Sequence, residues 1–425
     1  MNLRPWLIFL IVVAPPLAAA ATGFDAASAT NQVGLDLYRQ LAGKQPGGNL
    51  VISPYSIESG LALADAGADG ATRAEMARAL HFPEDDAELQ LAFAVLRTAL
   101  DQVASQSARV AALLPRRGDR VDAIEWHAAN RLYGQSGYAF REAFLSLMRD
   151  GWAAPFEPLD FRTGAEAARG TINAWVEDQT RNKIRDLIPR GGLTPDTRLV
   201  LVNALYLKAP WQSPFKKSLT TPQPFHVAGG APRDTPTMQQ TGRFGYAMEN
   251  GLAVVALSYL DDGLQFLILL PDEGRSVDAV PARLTADDFA RWAKLGEYPR
   301  RQSVSLHLPK FRIEGATVPL GRALRTLGVR SAFDEPPGSA NFERIAPRKP
   351  DGYLAISEVF HQTFIALDED GTEAAAATAT TMFTLAAHAS PPKSIEVLVD
   401  RPFLFAIQHR ASGTCLFLGR ITDPR

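Results

Sequence analysis

The sequence predicts an α+β fold, and three observations lead to this class. Helix-like and strand-like stretches both occur along the 425 residues, but they do not alternate in regular βα units. The strand-like stretches include long apolar runs, of which Leu199 to Leu207 carries a single polar residue. Apolar residues make up 46% of the chain and charged residues 21%, so there is ample material for a large core. At about 150 residues per domain, this length corresponds to two or three domains or to one large domain.

The charge balance and the cysteine content exclude several classes of protein. Lys and Arg number 44 against 46 Asp and Glu, so the net charge is −2 and the basic excess of a nucleic-acid-binding protein is missing. Cys415 is the single cysteine, which excludes an intrachain disulfide framework and a cysteine-rich metal site. The histidines show no metal-binding spacing such as H-E-x-x-H. We therefore expect no metal, no cofactor and no nucleic-acid partner.

The N-terminus has the pattern of a secretory signal peptide. Arg4 provides a positive charge, the apolar run Trp6 to Leu17 follows it, and the small residues Ala18 to Ala21 come next. The apolar run is shorter than the ~20 residues that cross a membrane. We predict a signal peptide over residues 1–21. The mature chain, residues 22–425, is then expected to be secreted to the periplasm or the extracellular space, with no membrane association.

Helices are predicted in several stretches. Thr72 and Glu75, three residues apart, are typical of a capping box and predict a helix from Ala74 to Leu80. Two further helices are predicted over residues 165–188 and 320–327.

Strands are predicted wherever a short apolar run is bounded by turn residues. The predicted strands cover residues 199–207, 264–270, 304–313, 359–367, 403–407 and 416–421.

The segment from Gly371 to Thr381 combines features of two kinds of structure. Its sequence, GTEAAAATATT, holds no large apolar residue and a single charge at Glu373. Alanine-rich runs are usually helical, but this one directly continues a predicted strand. At a period of two, residues 372, 374, 376 and 378 are all small and uncharged, while Glu373 falls on the opposite face. Such a segment can be exposed in one state and buried as a strand in another.

Short motifs along the chain resemble those of one family, the serpins, in both order and spacing. They are NLVISPYSI at residues 49–57, TINAWVE at 171–177, LVNALYLKAPWQSPF at 201–215, LPKF at 308–311, RPFLF at 401–405 and LFLGRITDP at 416–424. The resemblance covers nearly the whole mature chain, which is similar to secreted inhibitory members of bacterial type. One departure is the Ala209-Pro210 pair, where the family usually has glycine.

The resemblance implies a single serpin domain over residues 22–425. This fold has three β-sheets, eight or nine helices and an exposed reactive loop on the C-terminal side, here at about residues 369–400. The N-terminal part of the loop is its hinge, and the small side chains of this chain follow the inhibitory pattern. By motif match the hinge residues are Glu369, Gly371, Thr372, Ala374, Ala375, Ala376 and Ala377.

The position of the reactive bond stays open, because the loop is longer than is usual in the family. Counting fourteen residues from Gly371 gives the bond between Leu385 and Ala386. Counting back from the Pro391-Pro392 pair points nearer to His388.

The resemblance also implies a polar cluster that controls opening of the main sheet. By motif match this cluster consists of Ser53, Ser56, Asn203 and His361, and Trp211 is expected to cover the top of the opening. The alternative for His361 is a buried core histidine without a regulatory role.

The implied function is suicide inhibition of a serine protease, which would bind the monomeric protein covalently. No Lys or Arg lies between Gly371 and Pro392, so the apolar bait Leu385 suits a chymotrypsin-like or elastase-like enzyme better than a trypsin-like one. A cysteine protease is the alternative target. Whether a polyanion accelerates inhibition, through Arg116, Arg117 and Arg120 or through Arg300 and Arg301, stays open.

Two other functions compete with inhibition. The first is a non-inhibitory serpin that acts as a chaperone or carrier, against which the small hinge residues speak. The second is an exported hydrolase, because Ser213 and Lys216 form an S-x-x-K pattern, but the K-T-G motif that should follow is absent. Cys415 lies in an apolar run and is expected to be inert core. We therefore predict that the protein is not an enzyme.

Overall fold

The computed structural model describes residues 23–114, 121–227, 229–297, 299–349, 352–373 and 394–424. The predicted signal peptide and Arg116, Arg117 and Arg120 lie outside these ranges. So do several residues assigned to the reactive loop, which are Ala374, Ala375, Ala376, Ala377, Leu385, Ala386 and His388.

The described residues form eight α-helices, together with a few short 3-10 and π turns. The helices are α1 (Ala26–Ala42), α2 (Pro54–Asp65), α3 (Gly70–Ala79), α4 (Asp86–Leu113), α5 (Glu142–Ser146), α6 (Phe161–Gln179), α7 (Ala286–Trp292) and α8 (Gly321–Thr326).

Seventeen strands occur in the same ranges of the chain. They are β1 (Leu50–Ile52), β2 (Glu125–Gln135), β3 (Phe156–Leu159), β4 (Leu199–Pro210), β5 (Thr221–Phe225), β6 (Arg233–Glu249), β7 (Leu252–Ser258), β8 (Leu264–Pro271), β9 (Arg301–Pro309), β10 (Phe311–Glu314), β11 (Val318–Pro319), β12 (Phe360–His361), β13 (Phe364–Leu367), β14 (Gly371–Thr372), β15 (Ile395–Leu398), β16 (Phe403–His409) and β17 (Cys415–Ile421).

The strands are arranged in three sheets within the described ranges. A nine-stranded sheet has the order β1-β17-β16-β8-β7-β6-β9-β15, with β5 paired to β6. A six-stranded sheet has the order β10-β13-β14-β4-β2-β3, and β11 pairs with β12 in a two-stranded sheet. Helices and sheets are mixed without βα alternation, so the predicted α+β fold with three sheets and eight or nine helices is confirmed.

The hydrophobic core lies between the two large sheets. Helix α2 packs against β17 of one sheet and β4 of the other, so it fills the space between them. Strands β8, β16 and β17 are buried along their whole length, which agrees with their apolar sequences. Cys415, at the start of β17, is 1% exposed, and burial raises the pKa of its thiol, as expected for inert core.

Helix α6 covers the outer face of the six-stranded sheet. It ends at Gln179 rather than at the predicted Ile188, and the chain continues across the sheet without regular structure. The segment after the helix still packs on the same face, through an apolar cluster that joins it to α6, β2 and β4 and includes Tyr133, Phe161, Ile172, Val176, Ile184, Leu187, Ile188, Val202 and Ala204. The prediction of a helix was therefore correct as far as Gln179, whereas the residues after Gln179 are held on the sheet by side-chain packing.

The predicted capping box is wrong. Helix α3 begins earlier, directly after Asp69, whose side chain accepts the first capping hydrogen bond. The Thr72 hydroxyl accepts a hydrogen bond from the backbone of Asn341, at 3.0 Å, and the Glu75 carboxylate accepts one from the backbone of Ser331, at 2.7 Å. Both polar side chains therefore serve contacts with distant segments.

The predicted strand over residues 359–367 is divided into two short strands. β12 pairs with β11, whereas β13 pairs with β10 in the six-stranded sheet. Between them, the Thr363 hydroxyl donates to the Val51 carbonyl at 3.0 Å, which turns the chain toward the core.

Candidate functional site

The centre of the six-stranded sheet is incomplete. Strand β4 pairs with β2 along its length, from Glu125↔Lys208 to Gly134↔Leu199. On its other edge it pairs with β14 alone, through Gly371↔Pro210 and Thr372↔Ala209. Toward the N-terminal end of β4 from these two pairs, no strand in the described part of the chain joins β4 to β13.

A cavity of about 370 Å³ lies where the missing strand would run. One wall is the first half of β4, the opposite wall is the segment of residues 353–363, and α2 contributes Ile57, Gly60, Leu61 and Ala64. Unpaired backbone edges are costly when buried, and β4 presents such an edge beside the cavity.

Gly371 occupies a position that admits no side chain. Its φ is +154°, and a Cβ placed on it would lie 2.2 Å from the carbonyl oxygen of Ala209. A side chain there would push β14 away from β4. The absence of a side chain at position 371 therefore allows β14 to pair with β4.

Thr372 points into the molecule, as the period-two pattern predicted. The residue is 3% exposed, and its hydroxyl hydrogen-bonds the Tyr259 hydroxyl. The Tyr259 ring stacks on Trp211, with centroids 4.7 Å apart. The Trp211 indole nitrogen donates to the Asp368 carbonyl at 3.0 Å. Trp211 thus lies at the end of the gap where β14 pairs with β4, close to Thr372.

The two acidic residues before Gly371 are fixed by cations. Lys310 lies 2.8 Å from Glu369 and the Thr220 hydroxyl donates to the same carboxylate at 2.7 Å. Burial alone would raise the pKa of Glu369, but these hydrogen bonds lower it below its usual value. Asp370 pairs with Lys217 at 2.9 Å. The stem of the loop is therefore anchored.

Glu373 lies on the face opposite Thr372, but it is not in solvent. Its carboxylate lies 3.0 Å from the Lys183 ammonium, accepts a hydrogen bond from the Tyr206 hydroxyl at 3.1 Å, and its side chain is 13% exposed. Burial raises the pKa of Glu373, and Lys183 and Tyr206 oppose that rise. The charge does not face water, because Lys183 of the segment after α6 and Tyr206 of β4 lie against it.

The predicted polar cluster lies at the level of the cavity. The backbone N–H of Ser53 donates to His361 Nε2 at 3.1 Å, and the Ser53 hydroxyl donates to the Leu416 carbonyl at 2.7 Å. The Ser56 hydroxyl donates to the Asn203 side-chain oxygen. The four residues thus connect α2 with β4 on one side of the gap and β12 on the other.

His361 is neutral in this environment. It is 6% exposed, and burial lowers the pKa of its imidazole to about 4. Its Nε2 can accept the hydrogen bond from Ser53 because it carries no proton. The two predicted roles, core histidine and part of a switch, are both compatible with this position.

Asn130 belongs to the same network, although the sequence did not point to it. Its side-chain oxygen accepts a hydrogen bond from Asn203 Nδ2 at 2.7 Å, since the two residues are directly opposite in the β2–β4 register. The cluster therefore extends over two strands. The signal that would identify Asn130 is strand register, which one sequence does not supply.

Other candidate sites receive little support. No group of three or more metal-ligating side chains occurs among the residues that the structure describes. Arg301, one of the five arginines considered for polyanion binding, forms an ion pair with Asp262 at 3.2 Å, which partly neutralises its charge. None of the helices in these ranges is long and apolar enough to span a membrane.

Sequence comparisons agree with the geometry. A family model described as Serpin (serine protease inhibitor) matches residues 28–424. A serpin-like protein of Thermococcus kodakarensis is 37% identical, over 94% of this chain and 85% of the relative. The leukocyte elastase inhibitor of Sus scrofa is 33% identical, over 93% of this chain and 99% of the relative.

Solved structures show the same fold. Thyroxine-binding globulin in complex with thyroxine superimposes with a TM-score of 0.77 and 26% identity, covering 94% of this chain and all of that chain. Cleaved Serpin 42Da superimposes with a TM-score of 0.76 and 27% identity, covering 94% of this chain and 99% of that chain. The similar proteins thus include an elastase inhibitor and a thyroxine-binding globulin. This chain belongs to the serpin family.

Proposed function

We propose that this serpin is a suicide-substrate inhibitor of a serine protease. One observation carries the proposal, which is the two-residue strand β14 at the head of a cavity that lies along the edge of β4. The small residues Ala374, Ala375, Ala376 and Ala377 continue directly from β14 in the sequence. A chain with this hinge is suited to inserting its loop.

The reaction begins as ordinary proteolysis. The serine oxygen of the protease attacks the carbonyl of the bait residue, the peptide C–N bond breaks, and the leaving amine takes a proton. An acyl-enzyme joins the protease to the new C-terminus of the loop. The freed hinge then enters the gap and carries the protease with it. Displacement of catalytic groups by ~1 Å can slow deacylation about 100-fold.

The new strand supplies the driving force. Each ladder hydrogen bond contributes about 1 kcal/mol net, so a strand of ten residues provides on the order of 10 kcal/mol. The native state is then held by a kinetic barrier. In this scheme Ser53, Ser56, Asn203 and His361 control opening of the sheet, because their hydrogen bonds join elements on both sides of the gap.

The target is an enzyme with an apolar specificity pocket. Leu385 is the proposed bait and Ala386 the residue after the cut, in a loop without Lys or Arg. The name of the Sus scrofa relative, an elastase inhibitor, agrees with this class. We further propose that the mature chain forms one domain over residues 22–425, is secreted and acts as a monomer.

A protease panel tests the proposal. Chymotrypsin, elastase and trypsin are incubated separately with the protein and analysed on a denaturing gel and by mass spectrometry. We expect covalent complexes with the first two and a released fragment that begins at Ala386. The matched variant Leu385→Arg should transfer complex formation to trypsin. Cleavage of the loop by chymotrypsin and elastase without any covalent complex would contradict inhibition and favour the chaperone or carrier function.

A further inference from the structure

Glu373 directly follows strand β14 of the six-stranded sheet. Its N–H still donates to the Ala366 carbonyl of β13, at 2.8 Å, so the ladder extends through it on one side. Its φ is +49°, however, in the left-handed region that residues other than glycine rarely adopt. Such a conformation persists when surrounding contacts hold it in place.

Two side chains supply those contacts from different elements. Lys183, in the segment after α6, forms the 3.0 Å ion pair, and its ammonium also lies 5.0 Å from the centre of the Phe364 ring on β13. Tyr206, on β4, donates the 3.1 Å hydrogen bond. Burial and the Glu373 charge raise the pKa of Tyr206, so its hydroxyl keeps the proton that it donates. Together the two side chains attach Glu373 to both borders of the gap.

The pairing is specific within this acidic stretch. Glu369 and Asp370 have their own cations, Lys310 and Lys217. Lys183 and Tyr206 therefore contact Glu373, whereas other cations bind Glu369 and Asp370.

We propose that Lys183 and Tyr206 are positioning residues that hold Glu373 and thereby keep Gly371 and Thr372 inside the sheet before any protease arrives. The consequence for inhibition, which rests on the proposed function, is that insertion starts from a strand whose first pairs are already formed. Propagation then requires the backbone of Glu373 to change from left-handed to extended. Its side chain can stay on the same face, so the contact does not oppose the later steps.

A single introduced thiol reports the position of the hinge without any protease. Cys415 is the one natural cysteine and is buried, so Thr372→Cys adds a second thiol, and maleimide can label it only when position 372 leaves the sheet. In this background, Lys183→Met removes the charge but keeps an apolar stem over Phe364. We expect labelling to become about fivefold faster, as for loss of a half-buried ion pair, and Tyr206→Phe should act in the same direction.

Two controls separate hinge release from general loosening. Arg185→Met, in the same segment, should leave the labelling rate unchanged, because Arg185 donates to the Asn182 carbonyl and does not contact the hinge. The charge swap Lys183→Glu with Glu373→Lys should restore slow labelling. Peptide mapping of Cys415 reports global unfolding. If Lys183→Met and Tyr206→Phe label the introduced thiol no faster than Arg185→Met does, the proposal is overturned.

A protease assay then connects the hinge to inhibition. Lys183→Met should raise the moles of inhibitor consumed per mole of protease inactivated about twofold or more, with cleavage of the loop unchanged. If labelling responds but the unmodified protein traps no protease, the hinge contact stands and the proposed function fails. If the protein traps protease but Lys183→Met leaves the labelling rate unchanged, the proposed function stands and this inference fails.

Discussion

The two large sheets differ in how completely their central strands are paired. In the nine-stranded sheet, β8 is bonded along its length to β7 on one side and to β16 on the other. In the six-stranded sheet, β4 is bonded along its length to β2, but to β14 by two residue pairs. Among the described residues, the central strands of the nine-stranded sheet are paired on both edges, whereas most of one edge of β4 has no strand partner.

The side chains differ in the same way. β8 and β16 place apolar residues on both faces, and the Phe266 and Phe405 rings stack with centroids 5.3 Å apart. The gap is lined in part by hydroxyl, amide and imidazole groups that bond one another. Apolar packing is favourable in any state that keeps the strands together, but polar pairs across a gap must be rearranged when it opens. Under the proposed function, the nine-stranded sheet maintains the fold and the six-stranded sheet is the one that changes.

The largest expected effect comes from a charge placed at the head of the gap. Thr372→Arg forces an unpaired guanidinium against Tyr259 and Trp211, in a site that is 3% exposed. Insertion should lose to deacylation, so the moles of inhibitor consumed per mole of protease inactivated should rise about tenfold or more. The loop should still be cut at an unchanged rate.

Thr372→Ser is the matched control, because it keeps the hydroxyl and the small size. Glu373→Arg would not be neutral, since it places a positive charge beside Lys183. Efficient trapping by Thr372→Arg would show that residue 372 does not need to lie in the sheet. The gap beside β4 would then not be the site of loop insertion.

A core substitution tests the nine-stranded sheet. Phe405→Ala removes a buried ring of β16 and should lower the free energy of unfolding by about 3–5 kcal/mol. Under the proposed mechanism the nine-stranded sheet does not change on loop cleavage, so intact and cleaved proteins should lose similar free energies of unfolding, measured by urea denaturation. A loss confined to the intact protein would mean that this sheet also changes.

Acid should weaken the polar cluster of the gap. His361 stays neutral in the folded protein down to a pKa of about 4, whereas an unfolded histidine takes up a proton near pH 6.5. The unfolded state therefore binds more protons between these values, and native stability falls as the pH falls through that window. The loss at pH 5 relative to pH 7.5 should be about 2 kcal/mol.

The comparison variant for this effect is His361→Gln, which retains an acceptor for the Ser53 N–H but does not titrate. The free energy of unfolding of this variant, measured in urea, should depend less on pH than that of the unmodified protein. Burial also lowers the pKa of His409 to about 4, but His409 titrates in both proteins and does not affect the comparison. Parallel pH profiles for the two proteins would exclude His361 as the sensitive group.

The sequence was informative where one local pattern dominates. The apolar runs at residues 264–270 and 416–421 predicted β8 and β17, because strands buried on both faces need continuous apolar side chains. The small residues from Gly371 onward predicted a segment able to enter a sheet, and the first two residues of it lie there. Ser53, Ser56, Asn203 and His361 were brought together by their motifs, as their resemblance to the serpin pattern implied.

Contacts between distant segments were beyond the sequence. Asn130 joins the cluster through strand register, and Lys183 reaches Glu373 across 190 positions of the chain, as the residue numbers give. Thr72 and Glu75 followed a local capping pattern, but partners from residues 331–341 took both side chains. Polar side chains satisfy whichever partner the tertiary fold supplies, so local spacing alone was insufficient.

The melting temperature of the protein before and after loop cleavage tests loop insertion beside β4 most directly. A protease that cuts near Leu385 is used, inactivated and removed, and both forms are heated under identical conditions. If the loop fills the gap, a gain on the order of 10 kcal/mol should raise the melting temperature by about 10 °C or more. A cleaved form that melts at the same temperature as the intact protein, or below it, would contradict insertion.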